Sequence, residues 1–226
     1  FIESVASNLL RLNYDSVGGA PSILVESQRT NLSFYSNQFN NSYWTKRSGL
    51  TITDNFSISP DGTNNASKCA LTSGDGYLFR TFNFIASTTY TISVFAKIAG
   101  SFQFNIFSGS NSFINTVTTT NEFKRFSFTF TTGATTSAGD FGIKVFNNLE
   151  IFGFQLEIGN SISSYITTTT AAVTRNQDVI TVSPPSGTVK ITTTFSNNTT
   201  QVLTTIPTTF TVPEGLIKQV LMQNSL

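Results

Sequence analysis

The chain carries twelve carboxylates, one thiol and no imidazole, and that inventory decides most of its chemistry. Without histidine, neither a Ser-His-Asp nor a Cys-His nucleophile can be assembled, and zinc sites of the usual His/Cys kind are excluded. Cys69 alternates with Ala70 and Leu71 in a strand-like stretch, so it reads as a small buried hydrophobe and not as a reactive thiol. No Gly-rich loop matches a phosphate cradle. Glycoside hydrolysis needs only two carboxylates across a cleft. The acids here, from Glu3 to Glu214, sit mostly in turns or on strand faces, and nothing in their spacing singles out a pair. The expectation is a protein that is not an enzyme. Asp61-Gly62-Thr63-Asn64 and Ser73-Gly74-Asp75-Gly76 are turns of a kind that binds calcium, although turn chemistry alone accounts for both. No other cofactor is expected.

What the chain holds in quantity is rings: 22 Phe, 6 Tyr and 1 Trp. Most belong in a core, so the informative ones break the inward pattern. Phe79, Phe107 and Phe146 fall near strand ends or opposite the apolar face, and Tyr43 and Tyr77 flank loops. Exposed rings stack on sugars or anchor protein contacts, which makes these residues the candidate glycan contacts. Trp44, set between Phe39, Tyr43 and a following strand, reads as a core plug. Arg29 lies near one end of the body, and Asp178 and Glu157 near the other. A pairing of Arg29 with either acid would make a structural clamp.

The elements that must position these residues are strands. Thr89-Tyr90-Thr91-Ile92-Ser93-Val94-Phe95-Ala96-Lys97 and Arg125-Phe126-Ser127-Phe128-Thr129-Phe130 alternate apolar with small polar residues, the period of a half-buried strand. Hydrophobic residues make up 38% of the 226, enough for a core, while charged residues are only 11%. Residues 1–27 read as a hairpin arm: Leu10, Leu12 and Tyr14 alternate, Val17-Gly18-Gly19-Ala20-Pro21 turns, and Ile23-Leu24-Val25 returns. Residues 28–178 carry many short strands separated by Gly, Asn, Asp and Ser turns, which indicates an all-β jelly-roll sandwich. Phe126, Phe128 and Phe130 should share one inner face, and so should Phe152, Phe154, Leu156 and Ile158. Beyond Ser183-Pro184-Pro185-Ser186-Gly187, residues 179–226 read as a small four-stranded β unit, with turns at Asn197-Asn198 and Glu214-Gly215.

Composition also limits the partners. The formal net charge is +1, and Lys46-Arg47 and Lys124-Arg125 are the only basic pairs, so the concentrated stripe that nucleic acid requires is missing. No apolar run is long enough for insertion into a membrane. The chain opens on Phe1, so the lack of a leader says nothing about export.

Several stretches form a pattern in order: Glu26-Ser27-Gln28-Arg29-Thr30-Asn31-Leu32, Tyr35-Ser36, Phe39, Trp44, Pro60-Asp61-Gly62-Thr63 and Thr89 to Lys97. Phe154-Gln155-Leu156-Glu157-Ile158-Gly159, Ser163-Ser164-Tyr165-Ile166 and Val173-Thr174-Arg175-Asn176-Gln177-Asp178 complete it. Over roughly Leu10 to Asp178 the chain resembles the jelly-roll modules of bacteriophage head spikes, head fibres and tail proteins, which are similar to carbohydrate-binding modules. The resemblance implies a virion-surface protein that attaches to host cell-surface glycans or another receptor, contacts other virion proteins and forms a homo-oligomer, often a trimer. Its motifs mark the scaffold and do not designate a ligand site. Two alternatives stay open: a decoration protein that binds only other virion subunits, and a secreted bacterial glycan-binding module.

Overall fold

The computed structural model describes residues 11–13, 21–135 and 137–224. Every element among them is a strand. The first are β1 (Arg11–Asn13), β2 (Ser22–Val25), β3 (Arg29–Asn31), β4 (Thr45–Arg47), β5 (Leu50–Ile58) and β6 (Asn64–Leu71). Then follow β7 (Gly76–Phe84), β8 (Thr89–Lys97), β9 (Gly100–Ser108), β10 (Asn111–Thr119), β11 (Lys124–Thr131), β12 (Ser137–Val145), β13 (Leu149–Ile158) and β14 (Val173–Arg175). The last are β15 (Thr181–Val182), β16 (Thr188–Phe195), β17 (Thr200–Leu203), β18 (Phe210–Thr211) and β19 (Gly215–Asn224).

The chain divides into two compact units, one of them Arg29–Thr174. Within it, two five-stranded antiparallel sheets run β10-β9-β12-β7-β4 and β11-β8-β13-β6-β5. Successive strands pass repeatedly from one sheet to the other, so the unit is a β-sandwich of jelly-roll type. Its inner faces meet in a phenylalanine core. Phe102, Phe104 and Ile106 of β9 are buried there, opposite Phe126, Phe128 and Phe130 of β11. Ring centroids lie 5.9 Å apart for Phe102–Phe126 and 6.5 Å for Phe104–Phe128, so aromatic contacts bridge the two sheets. Trp44 is the expected plug: it is buried edge-on to Phe154 at 4.9 Å and Phe141 at 6.0 Å, and its indole Nε1 donates to the Tyr35 carbonyl at 3.1 Å.

One expectation fails. Phe152 does not share the face of Phe154, Leu156 and Ile158, because the β13–β8 register shifts between Phe152 and Gln155. Gly153 takes a φ of +66° at that point, and the extra residue of the bulge reverses the alternation. Phe154 and Leu156 enter the main core, whereas Phe152 packs outside it with Phe95 and Tyr165, and Ile158 is exposed.

The other unit combines the N-terminal strands with the segment from Arg175 onward. Its main sheet runs β1-β2-β19-β16-β17, so the hairpin arm and the C-terminal strands, read from sequence as separate pieces, build one sheet. The reason is register: β2 presents its free edge to β19, with Ile23 opposite Ile217 and Leu24 opposite Leu216. β18 stands outside that sheet and pairs with β15. Val25, Ile191, Phe210, Val212 and Ile217 form the small core. The residues of the arm's expected turn, Val17 to Ala20, lie outside the described residues, as do Leu10 and Tyr14.

Asp178 belongs to this unit and does not join the expected clamp with Arg29. Its backbone N–H donates to the Glu26 carbonyl at 2.9 Å, and its carboxylate accepts the Glu26 N–H at 2.8 Å. Held there, it pairs with Arg11, which also pairs with Glu26, while Arg175 reaches Glu26 at 2.9 Å.

Replacing Gly153 by alanine tests the bulge. A side chain there must adopt a left-handed backbone and set a Cβ 3.1 Å from the Phe95 ring and 3.3 Å from Tyr165. The expected cost is about 1–2 kcal/mol, read as a lower urea midpoint at unchanged m-value.

Candidate functional site

A sandwich has two outer faces, and here the chain covers one of them. Outward residues Ser93, Gln155 and Glu157 of the sheet β11-β8-β13-β6-β5 are fully buried. Residues 31–36 and 163–168 lie across them and supply the hydrogen bonds that their burial demands. Asn31 Nδ2 donates to the carbonyls of Phe154 at 3.1 Å and Ile166 at 2.8 Å, and its Oδ1 accepts the Leu156 N–H at 3.2 Å. Glu157 accepts from the Ser163 N–H at 3.0 Å, the Ser163 hydroxyl at 2.8 Å and Gln155 Nε2 at 2.9 Å. Arg29 Nε stands 3.7 Å from the same carboxylate, and Arg125 donates to the Ser163 carbonyl at 2.5 Å. Tyr165 closes the cover with a 2.5 Å hydroxyl contact to Ser36, and burial pushes its phenol up to about 12. Much of the motif pattern seen in the sequence is therefore the material of this cover.

The opposite face, on β10-β9-β12-β7-β4, is left open by the described residues. Alternation within each strand and register between strands arrange its outward side chains as a grid. One row runs Thr116, Gln103, Lys144, Tyr77, Arg47. The next runs Ile114, Asn105, Gly142, Phe79, Thr45, and a third runs Ser112, Phe107, Asp140, Thr81. Phe107 and Ile114 are 43% and 53% exposed, a large apolar exposure for a sheet whose inward neighbours Phe104 and Ile106 show none. Cations flank the rings. The Arg47 guanidinium lies 4.7 Å from the Phe79 centroid, and the Lys144 ammonium lies 5.3 Å from Tyr77 and 5.2 Å from Phe146. Lys144 also pairs with Asp75, and their mutual hydrogen bond holds the carboxyl below its ordinary value and the ammonium above it.

The structure thus brings Tyr77, Phe79 and Phe107 onto one face, with Phe146 joined to it through Lys144. It sets Tyr43 apart. Phe34 stacks on that ring at 5.3 Å, Arg80 lies 4.6 Å from its centroid, and Trp44 meets it edge-on at 5.4 Å. Desolvation raises its phenol pKa, as expected for a ring at the core margin. Gln103, Asn105, Ile114 and Lys144 are neighbours that the sequence reading missed. The signal was present: Gln103 and Asn105 share their strand parity with Phe107.

Asp140 is the single carboxylate within these five strands. It accepts the Thr81 hydroxyl at 2.8 Å. Glycoside hydrolysis needs a second acid across from the first, and these strands do not carry one. The turn acids are held by their own surroundings. Burial alone would raise the Asp61 carboxyl, but hydrogen bonds from Asn65, Thr63 and Ser59 outweigh it and hold the group below its ordinary value. Among the described residues, no three His, Cys, Asp or Glu side chains converge as a metal site would require. Burial pushes the Cys69 thiol far up, which makes it inert. A polar recess of about 350 Å³ lies between Gln38, Asn40, Asn41, Asp54 and Asn55. Its charges are spent internally: Asp54 accepts the Phe39 and Asn40 N–H groups, and Lys46 donates to the carbonyls of Phe39, Asn40 and Asn41.

No protein-family model and no curated protein matches the sequence. Among solved structures, the chain is similar to the enzymatically active domain of bacteriophage CBA120 tailspike protein 4, at 13% identity and a TM-score of 0.48. The match covers 57% of this chain and 21% of that one. It is similar to the carbohydrate-binding module TmCBM61 in complex with β-1,4-galactotriose, at 15% identity and a TM-score of 0.45, covering 56% and 97%. A third is the CBM22-1–GH10 portion of Clostridium thermocellum xylanase 10B with xylohexaose, at 13% identity and a TM-score of 0.46, covering 62% and 30%. At these scores any role for the open face rests on this chain's own residues.

Alternation along β9 yields a direct check. Phe104→Ala empties a core position and should cost about 3–5 kcal/mol, whereas Phe107→Ala on the open face should stay within about 0.5 kcal/mol. Chemical denaturation of the two variants measures the contrast.

Proposed function

We propose that the open face of the sheet β10-β9-β12-β7-β4 binds glycan, and that the protein uses it on the surface of a bacteriophage particle to attach to the host. The observation that carries the binding reading is the grouping of Tyr77, Phe79 and Phe107 with Gln103 and Asn105 on the outer face that no described segment covers. Rings supply stacking area for the apolar faces of sugars, and interspersed amides supply hydrogen bonds to their polar rims. With Asp140 the single carboxylate on these five strands, the role proposed is retention by contact. The phage assignment is supported by the ordered motifs from Glu26 to Asp178. In it, the chain acts as one copy of a homo-oligomer anchored to other virion proteins.

The test is a glycan array together with a block of phage adsorption by the isolated chain. Wild type should bind host glycans and reduce adsorption. Phe79→Ala and Phe107→Ala should each weaken binding about tenfold. Phe56→Ala, an exposed ring on β5 of the other sheet, should not. Absence of both glycan binding and adsorption block would move the protein to the decoration role.

A further inference from the structure

We infer that the open face selects sugars bearing an acetamido group, read by Asn105; this rests on the glycan-binding assignment of that face. Asn105 alternates on β9 with Phe104 and Ile106, both fully buried in the core, so its side chain belongs to the open face. It is sunk there, only 8% exposed, and its amide makes no hydrogen bond to any described residue. On three sides its neighbours carry no hydrogen-bonding side chain, and on the fourth stands Gln103, whose Nε2 donates to the Thr116 hydroxyl at 3.0 Å. Ile114 stands opposite on β10, Phe107 lies two residues along, and Phe79 lies beyond Gly142 on the other side. Gly142 supplies no partner and no larger residue fits, since a Cβ would lie 2.1 Å from the Leu78 carbonyl oxygen and 2.6 Å from the Phe79 Cα.

An unpartnered amide beside Ile114 and Phe107 sets two demands on a ligand. One is a strong donor or acceptor at the amide itself, because a ligand that covers a primary amide without replacing its water loses free energy. The other is apolar surface immediately beside it. Sugar hydroxyls set against Ile114 and Phe107 would lose water without gaining a partner. An acetamido group meets both demands, with a C=O or N–H for Asn105 and a methyl for Ile114 or Phe107.

The test is NMR titration of the ¹⁵N-labelled full chain, following the Asn105 side-chain amide signal. The probes are the methyl glycosides of N-acetylglucosamine, N-acetylgalactosamine and N-acetylmannosamine, each beside its parent glucoside, galactoside or mannoside. At least one acetamido sugar should shift the Asn105 signal and bind about tenfold tighter than its parent. Asn105→Leu should abolish that difference. Equal affinity within every pair, or unchanged selectivity in Asn105→Leu, overturns the acetamido inference and leaves glycan binding standing. The pairwise comparison in wild type needs no variant to fold. If no glycoside shifts any signal of the open face, glycan binding itself falls, and the inference with it.

Discussion

Phe102, Phe104 and Ile106 are held between the two sheets of the larger unit, and their burial fixes where Gln103, Asn105 and Phe107 point. Each fully buried ring or branched chain stabilises the fold by about 1.5–3 kcal/mol. A slip of one residue would bring the amides inward and the rings outward, so register is tightly specified. Core and open face are therefore one constraint seen from two sides. The same parity that makes the sandwich stable displays the grid of rings, amides and cations on the other side of the sheet.

The two outer faces differ because the described residues roof only one of them. The roof is polar inside: Glu157, Gln155, Ser163, Asn31 and Arg29 satisfy one another beneath residues 31–36 and 163–168. Such a network adds little net stability, since desolvation offsets much of what the contacts return. Its physical effect is geometrical. Each donor and acceptor has its partner in one arrangement of the segments, which pins them to that face and leaves the other to solvent. The Gly153 bulge serves the same end, because it turns Phe152 outward to pack against Phe95 and Tyr165 under the roof.

Within the smaller unit a charge cluster takes the place of a large core. Arg11 is enclosed by Glu26 and Asp178, and Arg175 adds a second guanidinium to Glu26. These residues come from positions 11 to 26 and from positions 175 to 178, so the cluster ties together parts that are far apart in sequence. A core built on Val25, Ile191, Phe210, Val212 and Ile217 is small, and charge-assisted hydrogen bonds supply direction that so few apolar contacts cannot.

Local alternation was enough to locate the strands of the sandwich, to set Phe107 apart from the inward pattern, and to read Trp44 as core. Each of those depends on residues one or two positions apart, which a single strand already contains. What alternation could not supply was pairing. The partner of Asp178, the sheet shared by β2 and β19, the isolation of Tyr43 and the row joining Asn105 to Gly142 and Phe79 all depend on contacts between distant segments. The bulge at Gly153 is intermediate: the glycine is visible in the sequence, but its positive φ follows from register with β8. The sequence alone thus determined which side chains lie on a strand's wet side. Only tertiary structure decided which wet side stays uncovered, because long-range hydrogen bonds place the roof.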